Sequence, residues 1–267
     1  MALPIGLQIY SVRDELAKDF YGTLKKVKEM GYDGVELAGL EGRDPLEVKE
    51  MLDELGLQMC SSHVPVAEML EEGGIERYKK AGCDYIAIPW MAHGANNEEL
   101  EDNLKLIRKL AEAVKEQGMT LLYHNHDFEF KTVDGKAALD IIYDTVPAEL
   151  LQTELDTCWV KFAGADPIAY LAKYAGRAPL VHLKDFFKEE GDNAVPYELI
   201  GTDTSEKQES TFEFRPVGHG IQDMPAILEA SKAAGADWVI VEQDESVGRG
   251  TLEAAKMSID YLRSLEW

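Results

Sequence analysis

The segment KEMGYDGVEL, residues 28–37, contains the unit from which this chain is built. A helical run stops at Gly31, one or two residues turn, and an apolar strand follows. The same order recurs in DELGLQMCSS (53–62), KEQGMTLLYH (115–124) and KAAGADWVIV (232–241). Glycine ends helices because it enters the left-handed backbone region without steric cost. A repeated helix–glycine–strand unit is typical of parallel α/β architecture.

Extending this pattern along the chain predicts eight short strands in alternation with eight helices. Each strand is apolar on both faces, as expected of parallel strands that are covered on both sides. The predicted strands are Ile5–Tyr10, Asp33–Leu37, Leu57–Ser62, Tyr85–Pro89, Met119–Tyr123, Leu150–Leu155, Pro179–Leu183 and Trp238–Val241. The predicted helices cover 19–30, 45–55, 75–81, 97–117, 135–145, 166–176, 225–234 and 251–262.

Eightfold strand–helix repetition predicts an α/β fold, a (β/α)8 TIM barrel, with residues 1–267 as a single domain. A long loop is expected after the seventh strand, at about 186–217. The alternative is an open doubly wound sheet, which would carry a glycine-rich phosphate loop after its first strand. The sequence Tyr10-Ser11-Val12-Arg13 at that position is no such loop.

Composition narrows the class of function. The 267 residues include 50 acidic and 27 basic residues, a formal net charge of −23, and 45% are hydrophobic. The hydrophobic content is enough for a large core. The negative charge argues against nucleic acids, with their phosphate backbones, and against anionic membranes as partners. Three scattered cysteines fit a reducing compartment. With neither a signal peptide nor an apolar run of about 18 residues, the expected location is the cytoplasm.

Active sites of such barrels lie at the carboxyl ends of the strands, and polar side chains are concentrated there in this sequence. These strand-end residues are Gln8, Tyr10, Glu36, His63, Trp90, His93, His124, Asn125, His126, Glu129, Glu154, Asp156, His182, Lys184, Asp185, Glu242 and Asp244. Histidines and carboxylates that converge from four strands suggest ligands of a divalent metal. Residues two apart on a strand face the same way, which pairs His124 with His126 and His182 with Lys184.

Several of these residues also have simple structural interpretations. His63 and His93 could serve as capping or packing residues. Asp185 and Asp244 are expected to support the metal ligands from behind or to anchor loops, and not to be ligands themselves. Glu154 is expected to point toward the helices or the barrel lip. Trp90 and Trp159 fit either a core or a wall that stacks on a sugar ring.

Seven motifs together resemble the sugar isomerase/epimerase superfamily of xylose-isomerase-like TIM barrels over essentially the full length. They are GYDGVEL, SSHVP, LLYHNH, ELDTCW, VHLKD, RPVGHGIQD and IVEQD. The resemblance implies one divalent metal held by residues of strands five to eight, here His124, Asp156, His182 and Glu242. It also implies that Arg215, in the R-x-x-G-x-G loop, binds substrate oxygens.

The fifth strand departs from the family's ketose 3-epimerases, which have a glutamate where this chain has His124. Those epimerases use two metal-bound glutamates, whereas HNH at 124–126 resembles the inosose dehydratase branch. Glu129 is therefore a further candidate ligand or base. The endonuclease IV branch would require three metals and a basic face, which the charge of −23 opposes.

The expected chemistry is that of a metal-dependent isomerase or epimerase acting on a sugar or keto-sugar through a metal-stabilised enediolate. Mn²⁺ is the favoured metal, and Co²⁺, Zn²⁺, Fe²⁺ or Mg²⁺ are the alternatives. The alternatives are a dehydratase or keto-glycoside lyase acting on a keto-sugar or keto-inositol, and a sugar-binding barrel without activity. A homo-oligomer is compatible with the sequence.

Each site residue has an expected role under this hypothesis. The catalytic candidates are Glu242 or His126 as base, with Lys184 or Glu129 acting on substrate oxygens. The candidates for binding substrate are Glu36, His63, Trp90, Trp159 and Arg215.

Overall fold

A computed structural model of the chain describes residues 2–91, 97–191, 211–265 and 267. His93 and the middle of the predicted 186–217 loop, residues 192–210, lie outside the described residues. Within them, eight parallel strands form a closed barrel, in the order β1-β8-β7-β6-β5-β4-β3-β2. The strands are β1 Ile5–Gln8, β2 Gly34–Ala38, β3 Gln58–His63, β4 Tyr85–Ile88, β5 Thr120–His124, β6 Leu151–Asp156, β7 Leu180–Leu183 and β8 Trp238–Val241.

Helices between successive strands surround the barrel, which confirms the predicted (β/α)8 fold. They are α1 Phe20–Met30, α2 Pro45–Leu55, α3 Glu76–Ala81, α4 Asn97–Glu116, α5 Ala138–Thr145, α6 Pro167–Lys173, α7 Met224–Ala234 and α8 Thr251–Ser264. Shorter helices occupy Arg13–Leu16, Val66–Met69 and Thr157–Phe162. Their apolar faces pack on the outside of the strands to form the main core.

Local sequence explains where the helices begin and end. Asp44 caps α2 by accepting hydrogen bonds from the backbone amides of Leu46 and Glu47, and Pro45 occupies the first turn. Gly56 ends the same helix at a φ of 65°, which a residue with a side chain adopts at a steric cost.

Several expected boundaries differ from the structure by a few residues, and two of the differences have a local cause. β1 ends at Gln8, because the Gln8 side chain accepts a hydrogen bond from the Tyr10 amide and starts a 3-10 helix at Ile9–Val12. Before α5, short strands Thr132–Val133 and Lys136–Ala137 pair, so α5 starts at Ala138 instead of 135. The predicted loop after β7 is bordered by Asp185–Phe187 and Glu213–Arg215, which pair as antiparallel strands.

Candidate metal centre and active site

The polar centre of the molecule lies inside the barrel, at the carboxyl ends of the strands. Its charged and imidazole side chains come from six of the eight strands or from the residues directly after them, and all are buried. They are Glu36, His63, His124, Glu154, Asp156, His182, Lys184, Glu242 and Asp244. Alternation explains the set, because residues two apart on one strand face the same side.

Four of these residues form the group that we call the upper group: His124, Asp156, His182 and Glu242. Each offers one ligand atom, and these atoms lie within 4.8 Å of one another. His182 Nδ1 is 3.0 Å from Glu242 Oε2, and His124 Nε2 is 3.8 Å from Asp156 Oδ2. The structure therefore brings together the four residues predicted to hold the metal.

Asp156 is fixed so that one of its carboxylate oxygens faces this group. Its Oδ1 accepts hydrogen bonds from the amides of Cys158 and Trp159 at the start of the helix Thr157–Phe162, at 2.8 and 3.0 Å. Asn125 holds the backbone of Asp156 from β5, at 3.0 and 3.3 Å. Among the described residues, Asp156 Oδ2 has no hydrogen-bond partner although it is buried.

A second set, which we call the lower group, contains His63, His124, Glu154 and His182, whose ligand atoms also lie within 4.8 Å of one another. His63 Nε2 is 2.6 Å from Glu154 Oε2. The expectation for Glu154 was wrong: it is two residues from Asp156, so alternation places both inside the barrel. The residue spacing alone was enough to find it.

Glu36 lies beside the lower group, away from the open pocket. Gln8 and Ser61 donate hydrogen bonds to its two oxygens, and Oε1 is 3.0 Å from His63 Nε2 and 3.1 Å from His182 Nε2. Glu36 was expected to bind substrate. In the structure its carboxylate is enclosed by these four side chains, so it contacts imidazoles instead.

The ammonium group of Lys184 contacts the two carboxylates of the upper group. Its Nζ is 2.9 Å from Glu242 Oε2, 2.8 Å from Asp244 Oδ2 and 3.4 Å from Asp156 Oδ2. The ammonium also lies 5.1 Å from the centre of the Trp159 ring. Asp244, expected to support the metal ligands or to anchor a loop, contacts this lysine beside the upper group and is not a member of that group.

The turn after β5 separates His126 from Glu129. Glu129 is buried, and it accepts hydrogen bonds from the Tyr123 hydroxyl at 3.1 Å and from the His126 amide at 2.8 Å. Within the described residues, neither metal-capable group includes Glu129. It holds the turn that presents His126.

A pocket of about 300 Å³ opens above the upper group. Its lining combines charged and imidazole side chains with apolar ones, which suits a small polar ligand. The lining residues are Tyr10, Ala38, His63, Pro65, Pro89, Trp90, His124, His126, Lys184, Glu242 and Asp244.

The two candidate tryptophans differ in position. Trp90 lines the pocket and is 46% exposed. Trp159 is fully buried and packs edge-on against Phe162 and Phe214, so in this structure it supports Lys184 and cannot stack on a substrate. Arg215 pairs with Glu213 at 2.8 Å and is not one of the described pocket-lining residues.

Burial and mutual charge set the protonation of these groups. Burial raises the pKa of Glu154 to about 7, with the charge on Glu36 adding to the effect, and burial raises that of Asp156 to about 6 despite Lys184. Burial lowers the pKa of His124 well below its usual range, with help from the charge on His182. A neutral imidazole is the form that binds a metal.

The donor set suits a divalent cation. Carboxylates outnumber the permanent cation Lys184, and Asp156 Oδ2 is buried without a hydrogen-bond partner among the described residues. The donors are nitrogen and oxygen atoms, which fit Mn²⁺, Co²⁺, Zn²⁺ or Fe²⁺.

The fold and this site define the chain as a (β/α)8 barrel with a metal-capable polar centre at its catalytic end. The family model described as xylose isomerase-like TIM barrel matches residues 24–265, and the chain belongs to that family. The described residues contain no helix that is long and apolar enough to cross a membrane.

Relatives and solved structures extend the comparison. The inosose dehydratase of Geobacillus kaustophilus is 25% identical over an alignment of 273 positions, and this alignment covers 91% of this chain and 86% of that protein. A sugar phosphate isomerase/epimerase of Parabacteroides distasonis superposes with a TM-score of 0.77 at 21% identity, covering 99% and 94% of the two chains. A probable 3-DHS dehydratase of Bacillus anthracis superposes with a TM-score of 0.76 at 16% identity, and the match covers 98% of this chain and 99% of that chain. At these identities the two structures show the shared fold alone.

Proposed function

We propose that this chain is a divalent-metal-dependent dehydratase or lyase that acts on a keto-sugar or keto-inositol. Its reaction removes the proton beside the ketone and expels an oxygen substituent from the next carbon. The observation that carries this proposal is the contact between Glu242 and Lys184, 2.9 Å apart on the pocket wall. The site thereby holds a base and a proton donor side by side.

Glu242 is suited to act as the base because its carboxylate is ionised. Burial alone would raise the pKa of Glu242, but the charges on Lys184 and on a protonated His182 outweigh burial and hold it well below its usual range. A cation bound in the upper group would take the place of the charge on His182, which binds a metal only as a neutral imidazole. The carboxylate takes the proton from the carbon beside the ketone. The electron pair of that C–H bond then forms a carbon–carbon double bond as the C–O bond on the next carbon breaks.

Lys184 is suited to protonate the departing oxygen. An ammonium group is acidic enough to donate to an alkoxide or hydroxide, so the substituent leaves as an alcohol or as water. Asp244 holds the ammonium at 2.8 Å. Afterwards the proton on Glu242 returns to Lys184 across their direct contact, and the site is restored.

The residues that would hold the metal are His124, Asp156, His182 and Glu242. A divalent ion there supplies Lewis-acid polarisation of a ketone and a neighbouring hydroxyl. The full-length likeness to an inosose dehydratase supports elimination. His124 also supports elimination, because it stands where the family's ketose 3-epimerases have one of their two metal-bound glutamates.

The second candidate is the isomerase or epimerase expected first from the sequence. His63 and His126 line the pocket from β3 and the turn after β5, three strands away from β8 in either direction. An imidazole on that side could return the proton to the opposite face of the substrate.

The test uses two probes, a keto-inositol and a 3-keto-glucoside, incubated with the Mn²⁺-loaded protein in D₂O. An unsaturated ketone, detected by ultraviolet absorption and mass, is the expected product from at least one probe. The variant Glu242→Gln should form this product much more slowly. Its matched control is Glu47→Gln, which changes an exposed carboxylate on α2 and should leave the rate of product formation unchanged.

Each other outcome argues against elimination. Deuterium in recovered sugar without an unsaturated product would replace the lyase with the isomerase or epimerase. Metal binding without either change would support a non-catalytic sugar-binding barrel, and a wild-type protein that binds no Mn²⁺ would contradict metal dependence.

A further inference from the structure

We infer that Glu36 and Glu154 are positioning residues that orient the two metal-binding imidazoles. Glu36 is hydrogen-bonded to the nitrogen of His182 that faces away from the upper group, and Glu154 has the carboxylate oxygen nearest to the corresponding nitrogen of His124, at 3.3 Å. The inference rests on the proposed metal site, and it assigns a role to two buried carboxylates that the proposed reaction does not use.

His182 has one ring nitrogen on each side. Its Nδ1 is 3.0 Å from Glu242 Oε2, within the upper group, and its Nε2 is 3.1 Å from Glu36 Oε1. A histidine that binds a metal through one nitrogen donates the N–H of the other, commonly to a carboxylate. Glu36 is thus placed to keep the proton on Nε2 and leave Nδ1 for the metal.

His124 has the complementary arrangement. Its Nε2 faces Asp156 Oδ2 at 3.8 Å and Glu242 Oε2 at 4.0 Å, and its Nδ1 is 3.3 Å from Glu154 Oε2. Glu154 Oε2 is thus the carboxylate oxygen placed to receive a proton from Nδ1. The two imidazoles therefore bind through different nitrogens, and each is oriented by its own glutamate.

Both glutamates are themselves held in place. Gln8 and Ser61 donate to Glu36, and His63 Nε2 lies 2.6 Å from Glu154 and 3.0 Å from Glu36. Both carboxylates are fully buried. Since burying a carboxylate is costly unless it is paired, the contacts with imidazoles account for their presence.

The lower group also has the donors of a metal site, and this alternative must be separated from positioning. Two ions bound at once would require His124 and His182 to coordinate through both of their nitrogens, with both N–H protons lost. One ion in the upper group, with protons on the lower nitrogens, avoids that requirement. Both groups reach the pocket, the upper through His124 and Glu242 and the lower through His63 and His124, but only the upper group offers two carboxylates.

The experiment measures Co²⁺ affinity by competition with a chromogenic chelator, together with the Co²⁺ absorption spectrum, for Glu36→Gln and Glu154→Gln. Outer partners of metal-binding histidines typically contribute about 10- to 100-fold to affinity, and we expect each variant to lose that much with an altered spectrum. Glu154→Asp should recover part of the affinity, because it restores the carboxylate.

Asp140→Asn is the matched control. Asp140 is also buried, but its Oδ1 accepts a hydrogen bond from the Tyr174 hydroxyl at 2.6 Å and pairs with Lys173 at 2.7 Å, and it belongs to neither metal-capable group. Wild-type Co²⁺ affinity is expected for this variant. Thermal unfolding of each metal-free variant verifies that it is folded.

Wild-type affinity in folded Glu36→Gln and Glu154→Gln would overturn the inference. Two ions per wild-type chain, with one lost in Glu154→Gln, would overturn it in favour of a second cation site. If these variants do not fold, Gln8→Ala tests the role of Glu36 by removing a hydrogen bond to its carboxylate. We expect a few-fold loss of Co²⁺ affinity, and an unchanged affinity would contradict the role of Glu36. A wild-type protein that binds no metal contradicts the proposed function instead.

Discussion

Two layers of side chains fill the same barrel interior, and they differ in what holds them together. The layer toward the amino-terminal ends of the strands is apolar and consists of Cys60, Ala87, Leu122, Leu180 and Ile240. The layer above it contains the imidazoles and carboxylates of the two metal-capable groups. Several strands supply both layers, since Leu122 is followed two residues later by His124, Leu180 by His182 and Ile240 by Glu242.

The comparison separates stability from function. The apolar layer is tightly filled, because a Cβ atom added at Gly34 would lie 2.8 Å from Cys60 Sγ. Burying such side chains is favourable without any partner. The polar layer gains little from burial, since desolvation of charges offsets their attraction. The polar layer therefore makes sense as a place that binds a cation and transfers protons, and not as a source of stability.

Glu242→Gln should have the largest effect, and on function alone. Loss of a general base typically lowers the rate by about 10²- to 10⁴-fold. We expect such a loss of turnover, measured at saturating Mn²⁺ so that weaker metal binding does not contribute. Wild-type turnover under those conditions would transfer the role of base to His126.

Leu122→Ala should produce the opposite profile. The side chain is fully buried in the apolar layer, and removing it should lower the free energy of unfolding by about 2–5 kcal/mol. Urea denaturation measures this change. Metal affinity of the folded variant should equal that of the wild type, and a large loss of affinity would mean that the two layers are not independent.

Lys184→Met should strengthen metal binding while it lowers turnover. The ammonium lies 2.9 Å from Glu242 and 3.4 Å from Asp156, so it competes with a cation for both. We expect Mn²⁺ affinity to rise about tenfold, equivalent to 1.4 kcal/mol. Lys161→Met, on an exposed lysine, is the control. Unchanged affinity would show that Lys184 moves away when the metal binds.

Tyr85→Phe should have the smallest effect. The Tyr85 hydroxyl donates to Asp237 at 2.8 Å, near the solvent, beneath the apolar layer. Loss of this bond should lower the free energy of unfolding by about 0.5–1.5 kcal/mol, measured by urea denaturation. A change in metal affinity would contradict the separation of the layers.

Much of the fold could be predicted from local signals. Asp44-Pro45 and Asp166-Pro167 mark the starts of α2 and α6, and glycines mark the ends of α1, α2, α3 and α7. The errors were local as well. A glutamine side chain ended β1 early, and a miscounted alternation turned Glu154 out of the barrel although its spacing from Asp156 placed it inside.

The sequence by itself determined the barrel, and the resemblance pointed to the four residues of the upper group. Only the tertiary structure decided which side chains meet across the barrel: Glu36 with His63 and His182, and Lys184 with Asp244. The physical reason is that strand periodicity is local and sets the face of each side chain. Its height along the barrel, and therefore its partner, depends on the stagger between strands, which is fixed when the barrel closes.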